Sequence, residues 1–269
     1  MAQSHADAFL EAILQDPDDD TPRLIFADWL EEQGDSRSAA RAELIRVQCM
    51  LADGPLSPRR RIESARRQQE ILEEFSDEWT RPLHDLVRNW NFHRGFIDEV
   101  ALWSETFLAC ADRLFRQAPI QHMRLWTHFV PVGVQQLSVA ALADCEHLRR
   151  LRSLDLNANR LESRDVRALV VSEHLTRLTA LSLAYNRIGD SGIRALAGSP
   201  LLGRLEHLNL RGNDVGPGGL RVLTHALEEL ARAPEGLCLR RLELSFHNLS
   251  AAGQRVIADS PLLRRLTRV

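Results

Sequence analysis

The sequence has no lysine and few cysteines. All 34 basic residues among its 269 are arginine, so the surface is rich in groups that make bidentate contacts. The four cysteines show no C-x-x-C spacing; they are Cys49, Cys110, Cys145 and Cys238. This scattered arrangement predicts reduced, buried thiols in a cytoplasmic protein.

The sequence also shows no long apolar run, and no secretory signal is visible in it. No segment approaches the roughly 18 consecutive apolar residues that a membrane span needs. The first residues, MAQSHADAFLEAIL, are amphipathic and lack the basic region of a signal peptide. A formal net charge of −3 argues against a general polyanion binder. We therefore expect a cytoplasmic protein without a membrane partner.

Motifs for catalysis are absent from the sequence. It contains no G-x-S-x-G elbow, and its histidines are dispersed without an H-x-x-x-H pair beside a glutamate. The GPGG stretch at 216–219 lacks the lysine of a phosphate loop and is typical of a tight turn. These absences predict a protein that is not an enzyme and has no cofactor and no small-molecule substrate.

One aspartate cluster resembles a calcium loop but departs from it. The alternating residues are Asp16, Asp18 and Asp20. Thr21 stands where the loop needs glycine, and Ala27 stands where it needs glutamate. Helix capping and the helix dipole explain acidic residues at this place. We therefore predict no metal site.

One phrase is present four times between 151 and 249. The copies are LRSLDLNANRL, LTALSLAYNRI, LEHLNLRGNDV and LRRLELSFHNL, and each fits the repeat template L-x-x-L-x-L-x-x-N-x-L. They start at Leu151, Leu178, Leu205 and Leu239, so two intervals are 27 residues and the third is 34. This regularity predicts repeated structural units.

Each phrase predicts a short strand, a bend and a return helix. Strand alternation should bury Leu154 and Leu156 and expose Asp155. The asparagines at the ninth place should be buried, with their amides bonded to neighbouring backbone; they are Asn159, Asn186 and Asn213. Weaker strand phrases at 97–102 and 120–130 bring the predicted number of strand units to six. Because one unit cannot bury its apolar face alone, the units must stack into a curved solenoid.

These phrases resemble leucine-rich repeats of the longer, ribonuclease-inhibitor-like type. Glycines near the start of each return helix fit that subtype; they are Gly192, Gly219 and Gly253. The resemblance implies an α/β fold, a leucine-rich-repeat solenoid with parallel strands on the concave side and helices on the convex side. A small all-α domain should precede it.

Residues 1–90 read as helices, predicted at 4–15, 21–33, 37–51, 57–75 and 76–90. The second should bury a stripe of Leu24, Ile25, Trp29 and Leu30. FLEAILQDPDDDTPRLIFADWLEEQGD, RAELIRVQCML and the charged helix ending in EW are similar to a bacterial repeat-companion domain. The resemblance implies an accessory domain without an activity of its own. The predicted domains are therefore 1–90, helical, and 91–269, leucine-rich repeats.

The outward strand positions define the predicted binding surface. Places three, five and seven give three columns: Glu99, His122, Ser153, Ala180, His207 and Arg241; Ala101, Arg124, Asp155, Ser182, Asn209 and Glu243; and Trp103, Trp126, Asn157, Ala184, Arg211 and Ser245. Trp103 and Trp126 are adjacent in one column and are candidate anchors, since tryptophan and arginine dominate binding hot spots. Alternatively, the helical domain covers them.

Tyr185 and Phe246 extend an apolar rim or pack in the core. The predicted partner-binding residues are Trp103, Trp126, Arg124, Asp155, Asn157, Tyr185, His207, Asn209, Arg211, Arg241 and Glu243. Together they predict a cytoplasmic module that binds another protein, with a regulatory, sensing or adaptor role.

Two other functions stay open. Nucleic acid could bind through arginines, at 59–61 and at Arg149, Arg150, Arg152 and Arg160, although the net charge disfavours it. A hidden activity could lie in the helical domain around Asp28, Trp29, Glu31 and Glu32, although these residues lack a nearby histidine or cysteine partner.

Overall fold

The computed structural model describes residues 2–127, 137–245 and 249–267. The chain divides into two compact units, each with its own core. The first comprises Met1–Ala101 and Cys110–Ile120, and the second comprises Leu102–Ala109 and Gln121–Val269.

The first unit begins with four helices, close to the places that the sequence predicts. They are α1 (Ala2–Gln15), α2 (Thr21–Glu31), α3 (Ser36–Asp53) and α4 (Pro58–Thr80). Asp35 caps α3, since its carboxylate accepts the backbone N–H of Ser38 at 2.9 Å. Ser57 caps α4, and Pro58 takes its first position, where a missing N–H costs nothing.

The helix predicted at 76–90 is wrong beyond Thr80. A 3₁₀ turn follows at Arg81–Leu83, and residues Asn89–His93 form strand β1. Pro82 explains the change, because proline removes a helical N–H and restricts the residue before it. β1 pairs antiparallel with β2 (Phe96–Trp103), in a hairpin that the sequence pattern did not predict.

The turn of this hairpin packs directly against α3. Gly95 has φ +82°, and a Cβ there would lie 2.2 Å from Cγ1 of Ile45, so only glycine fits. The amide of Gln48 holds the turn: its Oε1 accepts the Gly95 N–H at 2.7 Å, and its Nε2 donates to the Phe92 carbonyl at 3.0 Å. The hairpin is therefore part of the first unit's core.

The stripe predicted for α2 is partly wrong. Leu24 and Ile25 are exposed over 40% and 51% of their surface. The helix buries Leu30 as predicted, together with Arg23 and Ala27, and Trp29 is partly exposed. Burial of Arg23 is tolerated because its Nη1 donates to the Asp19 carbonyl at 2.9 Å and its guanidinium lies 5.8 Å from the Phe96 ring. The core around it consists of Ile13, Ala27, Leu30, Ala42, Ile45, Cys49 and Phe96.

The second unit alternates short strands with helices. Helix α5 (Ser104–Gln117) is shared between the two units. The strands are β3 (His122–Trp126), β4 (Ser153–Asp155), β5 (Ala180–Ser182), β6 (His207–Asn209) and β7 (Arg241–Glu243). The helices are α6 (Val139–Ala143), α7 (Ser163–Val170), α8 (Gly189–Ala197), α9 (Pro200–Arg204), α10 (Pro217–Arg232), α11 (Ala251–Asp259) and α12 (Pro261–Leu266).

The five strands pair in parallel and in chain order. The register places equivalent positions of the repeated phrase side by side, as in Leu154 beside Leu181 and Leu181 beside Leu208. These leucines are at most 2% exposed. Helix α7 packs on α8, α8 on α10, and α10 on α11. The second unit is thus a mixed α/β structure with a parallel sheet, compatible with a leucine-rich-repeat fold.

The asparagines of the repeated phrase are buried, as the sequence predicts. The Nδ2 of Asn186 donates to the carbonyls of Leu156 at 3.0 Å and Leu183 at 2.8 Å. Its Oδ1 accepts the backbone N–H groups of Asn159 and Leu161, both at 2.9 Å. One side-chain amide therefore provides hydrogen-bond partners for backbone groups in the bends of two successive units.

The predicted burial of the cysteines holds for two of the four. Cys49 and Cys110 are buried, Cys145 is partly exposed and Cys238 is exposed, and all four are free thiols. Cys238 was expected inside but lies just before the phrase that forms β7, outside the leucine positions.

We expect the thiols to differ strongly in reactivity. Burial, and secondarily the nearby Asp20 carboxylate, raise the pKa of Cys49 to about 12. Because the thiolate is the nucleophile, Ellman's reagent at about pH 8 should modify Cys238 quickly and leave Cys49 unmodified until denaturant is added. Peptide mass mapping of the labelled protein measures this, and equal labelling of both in the native protein would contradict the placement of Cys49.

Candidate functional site

The strands of the second unit carry an aligned set of polar and small side chains, which alternate with the buried leucines. We call this set the polar sheet face. It consists of His122, Arg124, Ser153, Asp155, Ala180, Ser182, His207, Asn209, Arg241 and Glu243. The strand register confirms that places three and five of β3 to β7 form two columns.

The third predicted column is only partly right. Ala184 is fully buried, because the strand ends at Ser182 and the alternation of side chains stops there. The Ala184 N–H donates to Oδ1 of Asn157 at 2.7 Å. Asn157 is therefore part of the link between two repeat units, although its side chain stays partly exposed. Ala101, predicted outward in the second column, is also buried.

The middle of the polar sheet face has small side chains. Ser153, Ala180 and Ser182 form its floor, beside a cavity of about 240 Å³ that His207, Asn209 and Arg241 also line. The Ser182 hydroxyl donates to Oδ1 of Asn157 at 2.6 Å. Small residues here leave space into which a partner's side chains could project.

Ion pairs lie on either side of this floor. Nε of Arg124 lies 2.6 Å from Oδ2 of Asp155. On the other side, the Glu243 carboxylate forms ion pairs with Nε of Arg241 at 2.9 Å and Nε of Arg211 at 3.4 Å. These arginine side chains are 40–60% exposed, so the pairs add little stability, and each guanidinium keeps further N–H donors for a partner.

Trp103 and Trp126, which the sequence places next to each other in one column, contact each other. Their ring centroids are 5.7 Å apart, and the ring planes meet at 62°, an edge-to-face arrangement. Both side chains are partly exposed, and both residues belong to the second unit. The pair presents an aromatic surface of the kind that anchors protein interfaces.

Tyr185 is the exposed member of the predicted apolar rim. Its side chain is 65% exposed, and its backbone is left-handed, with φ +56°. Its N–H donates to the Arg211 carbonyl at 2.7 Å, which secures this unusual conformation. Phe246, the other predicted rim residue, lies outside the described residues.

Arg59, Arg149 and Arg152, three of the arginines considered for nucleic-acid binding, have intramolecular partners. Arg149 bonds to Nδ1 of His174 at 3.1 Å, and Arg152 bonds to Oε1 of Gln121 at 2.6 Å. Burial lowers the pKa of Arg150. Arg59 is paired within α4 with Glu63, at 2.8 Å. These contacts engage Arg59, Arg149 and Arg152 with three separate local partners.

Two of the acidic residues considered for a hidden activity, Asp28 and Glu31, form a salt bridge with Arg46. Arg46 on α3 lies 2.7 Å from both Asp28 and Glu31 on α2, so these carboxylates join two helices. Over the described ranges, no group of three or more histidine, cysteine or acidic residues could hold a metal ion. In the same part of the chain, no helix is long and apolar enough to cross a membrane.

Part of the chain matches a known protein family. Residues 174–197 and 205–223 match the family described as Leucine Rich repeat. The matched segments contain β5 with α8 and β6 with the start of α10. No curated protein matches the chain. The family match and the parallel sheet of repeated phrases together support a leucine-rich-repeat protein.

Proposed function

We propose that this protein is a non-catalytic module that binds a protein partner on the polar sheet face. The observation that carries the proposal is the aligned register of polar, small and charged positions across β3 to β7, with a tryptophan pair at the end of β3. Leucine-rich repeats generally mediate protein–protein interaction, which supports the same function.

The size of the face suits a standard interface. Five strands have four spacings of about 4.8 Å, which gives a sheet about 19 Å across. Such a width, with its flanking loops, offers the roughly 800 Å² per partner that stable complexes bury. Trp103 and Trp126 would supply apolar anchors, and Arg124, Arg211 and Arg241 would supply charged ones.

We further propose the larger architecture and role. Residues 91–269 would form a ribonuclease-inhibitor-like solenoid, and residues 1–90 would be a repeat-companion domain of the bacterial type. The protein would act in the cytoplasm as a regulatory, sensing or adaptor subunit. Its paired arginines and its net charge favour a protein partner over nucleic acid.

The tryptophan pair tests this proposal. Trp103→Ala combined with Trp126→Ala should weaken capture of the partner by at least about 100-fold, because each hot-spot residue contributes about 2 kcal/mol or more. Tagged wild-type and variant protein would be used to capture partners from cells of the source organism, and the affinity for the partner so identified would then be measured by calorimetry.

Val171→Ala provides the matched control. Val171 is 75% exposed, follows α7 and is not part of the polar sheet face, so this variant should bind as wild type does. Both variants must retain the wild-type melting temperature. Undiminished binding by the double variant would reject the proposed face, and co-purified nucleic acid whose binding weakens steeply with salt would replace the proposed partner class.

A further inference from the structure

The first unit contains a cavity for which neither the fold nor the proposed function gives a reason. Its volume is about 680 Å³, and it lies among α1, α2, the start of α3 and the end of α4. Ligand sites in proteins typically occupy about 300–1,000 Å³. The cavity is therefore large enough for a small organic molecule.

Apolar and aromatic side chains make up one part of the cavity wall. They are Phe26, Trp29, Leu30 and Trp79. The rings of Phe26 and Trp29 are nearly parallel, with centroids 5.7 Å apart, and Phe9 supports Phe26 from behind at 5.4 Å. Such a wall favours a ligand with an apolar or aromatic body.

Arg41 is the unusual polar residue of the wall. Its guanidinium carbon lies 4.6 Å from the ring centroid of Trp79, 5.1 Å from that of Phe96 and 5.2 Å from that of Phe92. Its Nη1 is buried and has no hydrogen-bond acceptor among the residues that the structure describes. Burial lowers the pKa of Arg41 to about 9, so the side chain is still a cation at neutral pH.

The aromatic rings compensate this buried cation only in part. Cation–π contacts attract the guanidinium, but they provide no acceptor for its N–H groups. A buried donor without an acceptor is costly, and a buried charge is usually paired with an opposite one. Arg41 therefore has the properties of a residue whose anionic partner comes from outside the chain.

The other charged residues of the wall have local roles or lie at the surface. Arg37 forms an ion pair with Glu78 at 2.8 Å. Asp35 is engaged as the cap of α3, through the N–H and the hydroxyl of Ser38 at 2.9 and 2.6 Å. Asp7 is exposed on α1. Among these four residues, Arg41 is the one with a buried guanidinium nitrogen that has no acceptor in the described part of the chain.

We propose that this cavity binds a small carboxylate with an aromatic or apolar body. The carboxylate would accept hydrogen bonds from the Arg41 guanidinium, and the body would lie against Phe26, Trp29 and Trp79. The proposed binding is non-covalent and requires no metal. The proposal goes beyond partner binding by the second unit and does not depend on it.

The five tryptophans make the test specific. In isotope-labelled full-length protein, each gives one indole N–H signal in a proton–nitrogen correlation spectrum, assigned by single Trp→Phe variants. Naphthylacetate is the probe, and its uncharged amide, naphthylacetamide, is the matched control compound. We expect saturable shifts at Trp29 and Trp79 with the acid, no shift at Trp103 or Trp126, and roughly tenfold weaker binding of the amide.

Two variants test the role of Arg41. Arg41→Lys keeps the charge but loses the planar fork, so it should weaken binding of the acid and leave binding of the amide unchanged. Arg46→Lys, on the same helix and paired with Asp28 and Glu31 outside the cavity, should bind as wild type does. Should Arg41→Lys fail to fold, the comparison of acid with amide on the wild-type protein decides. Absence of shifts at millimolar probe, or equal affinity for acid and amide, would show that Arg41 only packs against the aromatic rings.

Discussion

Replacing Leu183 by aspartate should unfold the second unit. Leu183 has no exposed surface and lies one residue beyond β5, among the stacked leucines. The substitution removes a buried side chain, which costs about 2–5 kcal/mol, and adds a buried charge without a partner, which costs about 3–5 kcal/mol more. The sum approaches the total stability of a typical domain, about 5–15 kcal/mol. Thermal melting followed by circular dichroism measures the loss.

Tyr185→Asp is the control for that substitution. It adds the same charge two residues further on, at a site that is 65% exposed and left-handed, with φ +56°. Aspartate tolerates this conformation better than tyrosine does, so the variant should keep the wild-type melting temperature or exceed it. Equal melting of Leu183→Asp and the wild type would show that the strand register is wrong.

Replacing Asn186 by leucine should cost about 3 kcal/mol or more, although the two side chains are similar in size. The N–H groups of Asn159 and Leu161 both donate to Oδ1 of Asn186 at 2.9 Å, and the described residues offer them no other acceptor. The carbonyl of Leu156 also loses a donor. Urea unfolding of the variant gives the change in free energy.

Asn209→Leu is the control, because it replaces an asparagine whose side chain, over the described residues, does not bond to the backbone of a neighbouring repeat unit. Asn209 belongs to the polar sheet face and accepts one local bond, from the Arg211 N–H at 3.1 Å. Because its side chain is partly exposed, its replacement should cost less than about 1 kcal/mol. If both substitutions cost the same, the asparagines do not connect the repeat units in the way the bonds indicate.

The repeated phrase predicted much of the second unit, because the same phrase sets both where each strand lies and which of its side chains are buried. Strand alternation placed Leu154 inside and Asp155 outside, and the ninth-place asparagines were correctly expected inside. The pattern failed at Ala184, where the strand had already ended. Strand length depends on where the backbone bends, and that bend is set by bonds between units, such as the one from Ala184 to Asn157.

Sequence patterns were less informative for the first unit. An apolar count on α2 favoured Leu24 and Ile25 over Arg23, because burial of an arginine depends on tertiary partners such as the Asp19 carbonyl. For the same reason, the sequence pattern did not identify Arg41 as a candidate site residue. Its spacing to Ile45 and Gln48 on the inner face of α3 was a visible signal, but the aromatic rings around it come from distant parts of the chain.

Site-specific photo-crosslinking tests the central claim most directly. A photoreactive phenylalanine would replace His207, exposed on the polar sheet face, or Arg255, exposed on α11, in protein expressed in cells of the source organism. We expect position 207 to crosslink one protein, at a yield that falls when Trp103 and Trp126 are both alanine. Position 255 should give no such product. Crosslinking of the same protein from position 255 alone would contradict binding at the polar sheet face.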